Sequence, residues 1–133
     1  MTDAAFRQWI QTLPSALDGR SFAEWLHGEG RNPACHVRRA SESGTGYKAP
    51  FSAIPLTHMQ HDYQHRYGEL ACLAKFTRDP ELRRALAEAT PAEAERIAKN
   101  WFDAQKARYY TRWLEETPEG RAWAKRRTVE EMA

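Results

Sequence analysis

Three histidines with helical spacing are the residues of this chain best suited to chemistry. His58, His61 and His65 follow one another at three and four positions, so at about 100° per residue they lie within roughly 60° of one another on a helix. His61 and His65 alone place two imidazoles one turn apart, where they can bind a transition metal through nitrogens at about 2.0–2.1 Å. Further ligands must come from elsewhere, and the nearest candidates are Cys35 and His36. A solvated helix face is the alternative explanation of the spacing.

The elements that must position these residues are a short hairpin and a helix. Alternating apolar residues predict a first helix over 3–13, and a second short helix is expected over 21–30. Short strands are predicted at 34–39 and 51–56, joined by a loop rich in serine and glycine. Thr57 is a candidate N-cap for the helix that carries the histidines.

The rest of the chain is predicted to be helical. Asp79-Pro80 has the form of a cap followed by a first-turn proline, and Thr90 opens a capping box before the longest helix, roughly 91–116. Pro118 either ends that helix or starts another, and the basic tail beyond it is expected to fray. The fold class is therefore α+β and mostly helical, with a hairpin and helix set between N-terminal helices and a long C-terminal helix.

Length and composition limit the kinds of protein to be considered. A length of 133 residues predicts one domain, 1–133. No apolar run approaches the roughly 18–20 residues of a membrane span, and no signal peptide is visible. Two cysteines make no disulfide framework, so reduced thiols and a cytoplasmic location are expected. The net charge is only +2, yet residues 31–66 carry five basic against two acidic side chains together with four of the five histidines.

The middle of the chain resembles a known family of nucleases. The segments that carry the resemblance are Ala34-Cys35-His36-Val37-Arg38-Arg39, Gly44-Thr45-Gly46-Tyr47-Lys48 and Ile54-Pro55-Leu56-Thr57, the last followed by His61 and His65. Together they resemble the HNH or ββα-metal (His-Me finger) endonucleases, and among these the small phage and prophage nucleases of recombination, the Ref-like group. The resemblance covers about residues 33–69, which would form the ββα-metal core between helical extensions over 3–30 and 70–127.

The resemblance implies a role for each candidate residue. His36 would be the general base that activates water, while His61, His65 and Cys35 would bind one divalent metal, with zinc, magnesium, manganese and nickel all open. A thiolate ligand would favour zinc, whereas a Cys35 directed into the core would make harder metals plausible. Candidates for contact with DNA follow from charge and position: Arg38, Arg39, Lys48 and His58.

The chain departs from the family at positions that bear on activity. Family members often carry a cysteine where this chain has Thr57, and a histidine where it has Gln60. The central Asn or Asp of the HNH pattern has no clear match, and no structural zinc knuckle is expected.

Other features have an ordinary explanation beside a functional one. Aromatic residues of helix 91–116 are expected in the core or in a homodimer face rather than stacked on bases, and Cys72 is expected in the core. The basic positions 121–127 fit either a phosphate contact or a solvated helix end.

The sequence thus predicts a metal-dependent DNA endonuclease that hydrolyses phosphodiester bonds in recombination or DNA processing. A DNA-binding recombination accessory protein that uses the same unit with little or no catalysis is the alternative. A protein that binds a partner or a second copy through helix 91–116 is a third possibility.

Overall fold

The computed structural model describes residues 2–21, 32–37, 39 and 49–132. The elements within these ranges are α1 (Thr2–Ile10), β1 (Ala34–His36), β2 (Ala53–Pro55), α2 (His58–Phe76), α3 (Pro80–Glu88), α4 (Pro91–Glu116) and α5 (Pro118–Met132). The fold is therefore α+β and mostly helical, as the sequence predicts. Residues 22–30 of the predicted second helix, residues 40–48 of the loop between the strands, with Lys48 among them, and Arg38 lie outside the described residues.

The two strands form a small antiparallel sheet. Cys35 lies opposite Ile54, and His36 lies opposite Ala53. Each strand has three residues and is shorter than the predicted segments 34–39 and 51–56. The chain that follows α1 adds to the hairpin, because the Ala16 N–H donates to the Pro55 carbonyl at 2.9 Å.

The predicted helix starts are confirmed, because each rests on contacts between residues close in sequence. The Thr57 side chain accepts from the Gln60 N–H, and the Gln60 side chain accepts from the Thr57 N–H in return. Thr90 opens α4 with the same reciprocal pair, and Asp79 caps α3. Such caps satisfy backbone donors at the helix start and stabilise by about 1 kcal/mol each.

Helix α4 is the scaffold on which the other elements pack. It contacts α1, β2, α2, α3 and α5. Its buried side chains include Phe102 and Trp113, each 1% exposed, and they meet Phe6 of α1, Ile54 of β2 and Leu73 of α2 in one core. Three aromatic residues of this helix, Phe102, Tyr109 and Trp113, therefore pack in the core, one of the two places in which the sequence puts them.

Two features of the helices differ from the sequence-based expectation. The helix α2 is interrupted at Gly68, whose φ of 92° is a left-handed conformation that glycine adopts most readily. The tail expected to fray is instead helical to Met132. Gly120 permits this, because its missing side chain lets α5 lie against the Trp113 carbonyl at the end of α4.

None of the helices in the described ranges combines the length and apolar character needed to cross a bilayer.

Candidate active site

The hairpin fixes the ring of His36 through a buried serine. The Ser52 hydroxyl donates to the Ala49 carbonyl at 2.6 Å, and its oxygen lies 3.2 Å from His36 Nδ1. Since the single serine proton is used for Ala49, Ser52 Oγ accepts from an N–H at Nδ1. The neutral imidazole then carries its lone pair on Nε2, which is the atom that can take a proton.

On α2, His61 and His65 contact each other. Their Nε2 atoms are 2.9 Å apart, and the ring centroids are 4.5 Å apart at an angle of 67°. The sequence predicts that these imidazoles share a helix face, and the structure confirms it. The contact requires one nitrogen to donate and the other to accept.

His36 and His65 line the same cleft. This cleft has a volume of about 290 Å³ and lies between the end of the hairpin and α2. Its lining residues are His36, Arg39, Gln64, His65, Gly68 and Glu69. The structure therefore brings a strand histidine and a helix histidine, 29 positions apart in the sequence, to one polar depression.

Cys35 is directed into the core. Its side chain is 1% exposed, and its Sγ donates to Gln64 Oε1 at 3.6 Å. Successive side chains of a strand point to opposite faces, so Cys35 faces inward where His36 faces the cleft. The structure therefore places Cys35 in the core. This is the arrangement for which the sequence analysis expects metals harder than zinc to be plausible.

Arg39 is bound by carboxylates rather than directed at solvent. Its Nη1 donates to Glu69 Oε2 at 3.0 Å, its Nε donates to Asp103 Oδ1 at 3.0 Å, and its Nη2 donates to the Lys99 carbonyl at 3.3 Å. Only 14% of the side chain is exposed. The guanidinium joins the hairpin to α2 and α4, and the DNA contact predicted for Arg39 stays a prediction.

The carboxylate of Glu69 belongs to the wall of the cleft. Burial raises the pKa of Glu69, and the hydrogen bond and charge of Arg39 offset only part of that effect. The same ion pair raises the pKa of Arg39 against the effect of its burial. A partly buried carboxylate with a raised pKa, in a cleft that two histidines also line, is typical of functional sites.

Another predicted DNA contact, His58, is exposed at the first residue of α2 and lies outside the lining of the cleft. Arg38 and Lys48 fall outside the described ranges, so their predicted roles are unchanged predictions.

The histidine pair fits a metal ion in its donor chemistry and spacing. Two nitrogens bound to one ion at about 2.0–2.1 Å, with roughly 90–110° between the bonds, are roughly 2.9–3.4 Å apart. The separation of 2.9 Å between the Nε2 atoms lies in that range. Across the described ranges, no three His, Cys, Asp or Glu side chains are clustered for a metal. The histidine pair thus supplies two nitrogen ligands for a metal.

The two departures from the family pattern have structural uses. Gln60 is 1% exposed, and its Oε1 accepts from the Ser15 hydroxyl at 2.5 Å and from the Thr57 N–H at 2.9 Å. The amide therefore connects the start of α2 to the chain after α1. Thr57 caps the helix that carries the histidines.

Three residues of the site are absent from the sequence-based prediction. Ser52 orients His36, Glu69 receives Arg39, and Gly68 lines the cleft where α2 is interrupted. Gly68 could have been identified from the sequence. Glycine breaks helices, and this one lies within the predicted helix, three positions after His65. Ser52 and Glu69 offer no such local signal, because their partners are 16 and 30 positions away.

Comparison with protein-family models, with curated proteins and with solved structures finds no match for this chain.

Proposed function

We propose that this chain is a metal-dependent DNA endonuclease of the HNH type that acts in phage or prophage recombination or DNA processing. The observation that supports it best is that His36 and His65 line one cleft, with His61 in contact with His65. The hairpin followed by α2 matches the order of elements that the family resemblance implies. The reduced state expected of Cys35 and Cys72 agrees with a cytoplasmic site of action.

His36 is the general base in this proposal. The hydrogen bond with Ser52 leaves Nε2 as the basic nitrogen, and a neutral imidazole is suited to take a proton from water near neutral pH. His61 and His65 would hold the divalent ion, with water or phosphate oxygens as its other ligands. When bound, that ion would stabilise negative charge on the phosphate oxygens.

Metal analysis and a plasmid assay test the proposal. The purified protein should bind about one divalent ion per chain, and it should nick supercoiled plasmid with Mn²⁺, Mg²⁺, Zn²⁺ or Ni²⁺. His36→Ala should lower the nicking rate at saturating DNA by about 10²–10⁴-fold, the usual contribution of a general base. The circular dichroism spectrum should be unchanged.

Two further variants separate the roles of the residues. Ser52→Ala should lower the saturated rate by about 10–100-fold, because the hydrogen bond that orients the His36 ring is lost. His58→Ala should raise the DNA concentration needed for half-maximal nicking and keep the saturated rate within about two-fold. Wild-type protein that nicks no plasmid with any of the four metals would refute the proposal, as would a His36→Ala variant as active as wild type.

A DNA-binding accessory protein is the second candidate. It is favoured by the ligand set, because the histidine pair supplies only two nitrogens to a metal and no larger cluster lies within the described ranges. It predicts DNA binding without hydrolysis, retained in the His36→Ala variant. A homodimer through α4 stays a prediction, but Trp113 is 1% exposed within the chain. Its substitution would therefore report on the core rather than on a dimer face.

A further inference from the structure

A second cavity lies beside the hairpin, with a lining that shares no residue with the cleft. Its volume is about 390 Å³, within the range of small-molecule sites of roughly 300–1,000 Å³. Ser52 lines this cavity, and its hydroxyl oxygen is 3.2 Å from His36 Nδ1. One residue thus separates the cavity from the candidate general base.

The cavity combines aromatic rings with cations. Phe51, Tyr110 and Trp123 supply the rings. Phe51 and Tyr110 are stacked with centroids 4.8 Å apart, and Trp123 lies 5.6 Å from Phe51. Lys106 and Arg127 stand at the wall. Aromatic rings stack on nucleobases, and Lys and Arg attract phosphate.

The ion pair of Arg127 is weak enough to exchange. Lys106 Nζ lies 4.0 Å from an Asp103 oxygen, and Arg127 Nη2 lies 3.5 Å from Glu131. The Arg127 pair is exposed, with side chains 46% and 71% accessible, and such pairs contribute little, so a phosphate can replace Glu131 without a large penalty. Arg127 Nη1 and Trp123 Nε1 both donate to the Tyr110 hydroxyl, which holds this side of the cavity in shape.

The backbone at Phe51 is strained in a way that serves this arrangement. Its φ is 58°, in the left-handed region that residues other than glycine rarely adopt. The Asp3 carboxylate holds it by accepting from the Phe51 N–H at 2.9 Å. Strain of this kind concentrates at ligand sites, and here it directs an aromatic ring to the cavity beside Ser52.

We infer that this cavity binds one nucleotide of a DNA strand, with the unstacked base against Phe51, Tyr110 and Trp123 and its phosphate near Lys106 and Arg127. The inference rests on the proposed nuclease function, since it places the nucleotide next to the phosphate at His36. It implies that the strand is single or locally unpaired at that point.

Binding of small probes to the full chain without metal tests the inference. Isothermal titration should show dAMP binding at least about ten-fold more tightly than deoxyribose 5-phosphate, because stacking supplies the difference. Equal affinities would overturn it. The single strand dT8 should bind at least about ten-fold more tightly than dTMP, because additional phosphates are contacted. Equal affinity would show a site for free nucleotides and would refute the placement of a strand.

Substitutions locate the binding. Trp123→Ala should weaken dAMP binding about ten-fold, whereas Trp123→Phe, which keeps a ring, should stay within about three-fold of wild type. Lys106→Gln should weaken binding and reduce its salt dependence. Lys99→Gln is the matched control, since Lys99 lies on the same helix outside the cavity lining and should leave affinity unchanged. If none of the cavity variants loses dAMP binding, the site is refuted.

The outcome is separable from that of the plasmid assay. Nicking activity in a protein that does not distinguish dAMP from deoxyribose 5-phosphate would refute the nucleotide site and support the nuclease. Selective dAMP binding, lost in Trp123→Ala, in a protein that nicks no plasmid would support the site and refute the nuclease.

Discussion

Replacement of Arg39 by methionine is the most informative perturbation of the cleft. Methionine keeps much of the length and packing of the side-chain stem and removes the guanidinium donors. In the wild type those donors bind Glu69, Asp103 and the Lys99 carbonyl. The variant therefore removes the hydrogen bonds of the guanidinium to α2 and α4 while leaving the core in place.

The contacts set the expected loss of stability. The bond to Glu69 is largely shielded, since the two side chains are 14% and 20% exposed, and a shielded charge-assisted bond contributes about 1.5–3 kcal/mol. Asp103 is 38% exposed, so its bond is discounted to at most about 1 kcal/mol. We expect the free energy of unfolding to fall by about 2–3 kcal/mol, which is roughly 6–12 °C in Tm for a chain of this length.

The loss should depend on pH. Burial raises the pKa of Glu69 above its unfolded value, and Arg39 opposes that rise, so the pKa rises further in the variant. A carboxyl with a raised pKa in the folded state destabilises the fold when ionised. This penalty is absent at pH values below the pKa of Glu69 in the unfolded chain, and it is complete above the pKa of Glu69 in the folded chain. The deficit of the variant should therefore be larger at pH 7 than at pH 4.

Urea unfolding followed by circular dichroism at both pH values measures the effect. Arg66→Met is the matched control, because the Arg66–Asp62 pair is 3.4 Å long with both side chains about two-thirds exposed. It should change stability by less than about 0.5 kcal/mol. Glu69→Gln should be milder than Arg39→Met, because the amide oxygen still accepts from Arg39. A loss for Arg39→Met no greater than that of the control, or a loss identical at both pH values, would refute the reasoning.

Three further predictions concern the glycines and a thiol. Gly120→Ala should destabilise the fold by about 2–3 kcal/mol in urea unfolding, because the added Cβ would lie 1.9 Å from the Trp113 carbonyl oxygen. A Tm equal to that of wild type would contradict the packing of α5 on α4. Gly68→Ala should lower the free energy of unfolding by about 1–2 kcal/mol through the φ of 92° alone, since no atom lies within 4 Å of the added carbon. Unchanged stability would show that α2 is not interrupted there. Burial raises the pKa of the Cys72 thiol to about 12, so at pH 8 only roughly one thiol in 10⁴ is ionised. In a Cys35→Ala variant, which leaves Cys72 as the single thiol, labelling should require unfolding, and rapid labelling of the native protein would contradict this burial.

The sequence by itself determines the features that depend on neighbours along the chain. Thr57 and Thr90 cap their helices through residues three positions away, and α4 spans the predicted 91–116. His61 and His65 share a face because helical geometry leaves no other arrangement. The burial of Cys72 follows from its apolar neighbours. The predicted strands are too long because the pairing of short strands is decided by partners distant in sequence.

The tertiary structure decides what the site is made of. The partners of Arg39 lie 30 and 64 positions away, so its hydrogen bonds to α2 and α4 could not be read from the sequence. Ser52 is identified as the partner of His36 only when β1 and β2 are paired. The left-handed Phe51 depends on Asp3, 48 positions before it. In each case the deciding energy comes from contacts made only in the folded chain, and no local pattern of residue types encodes them.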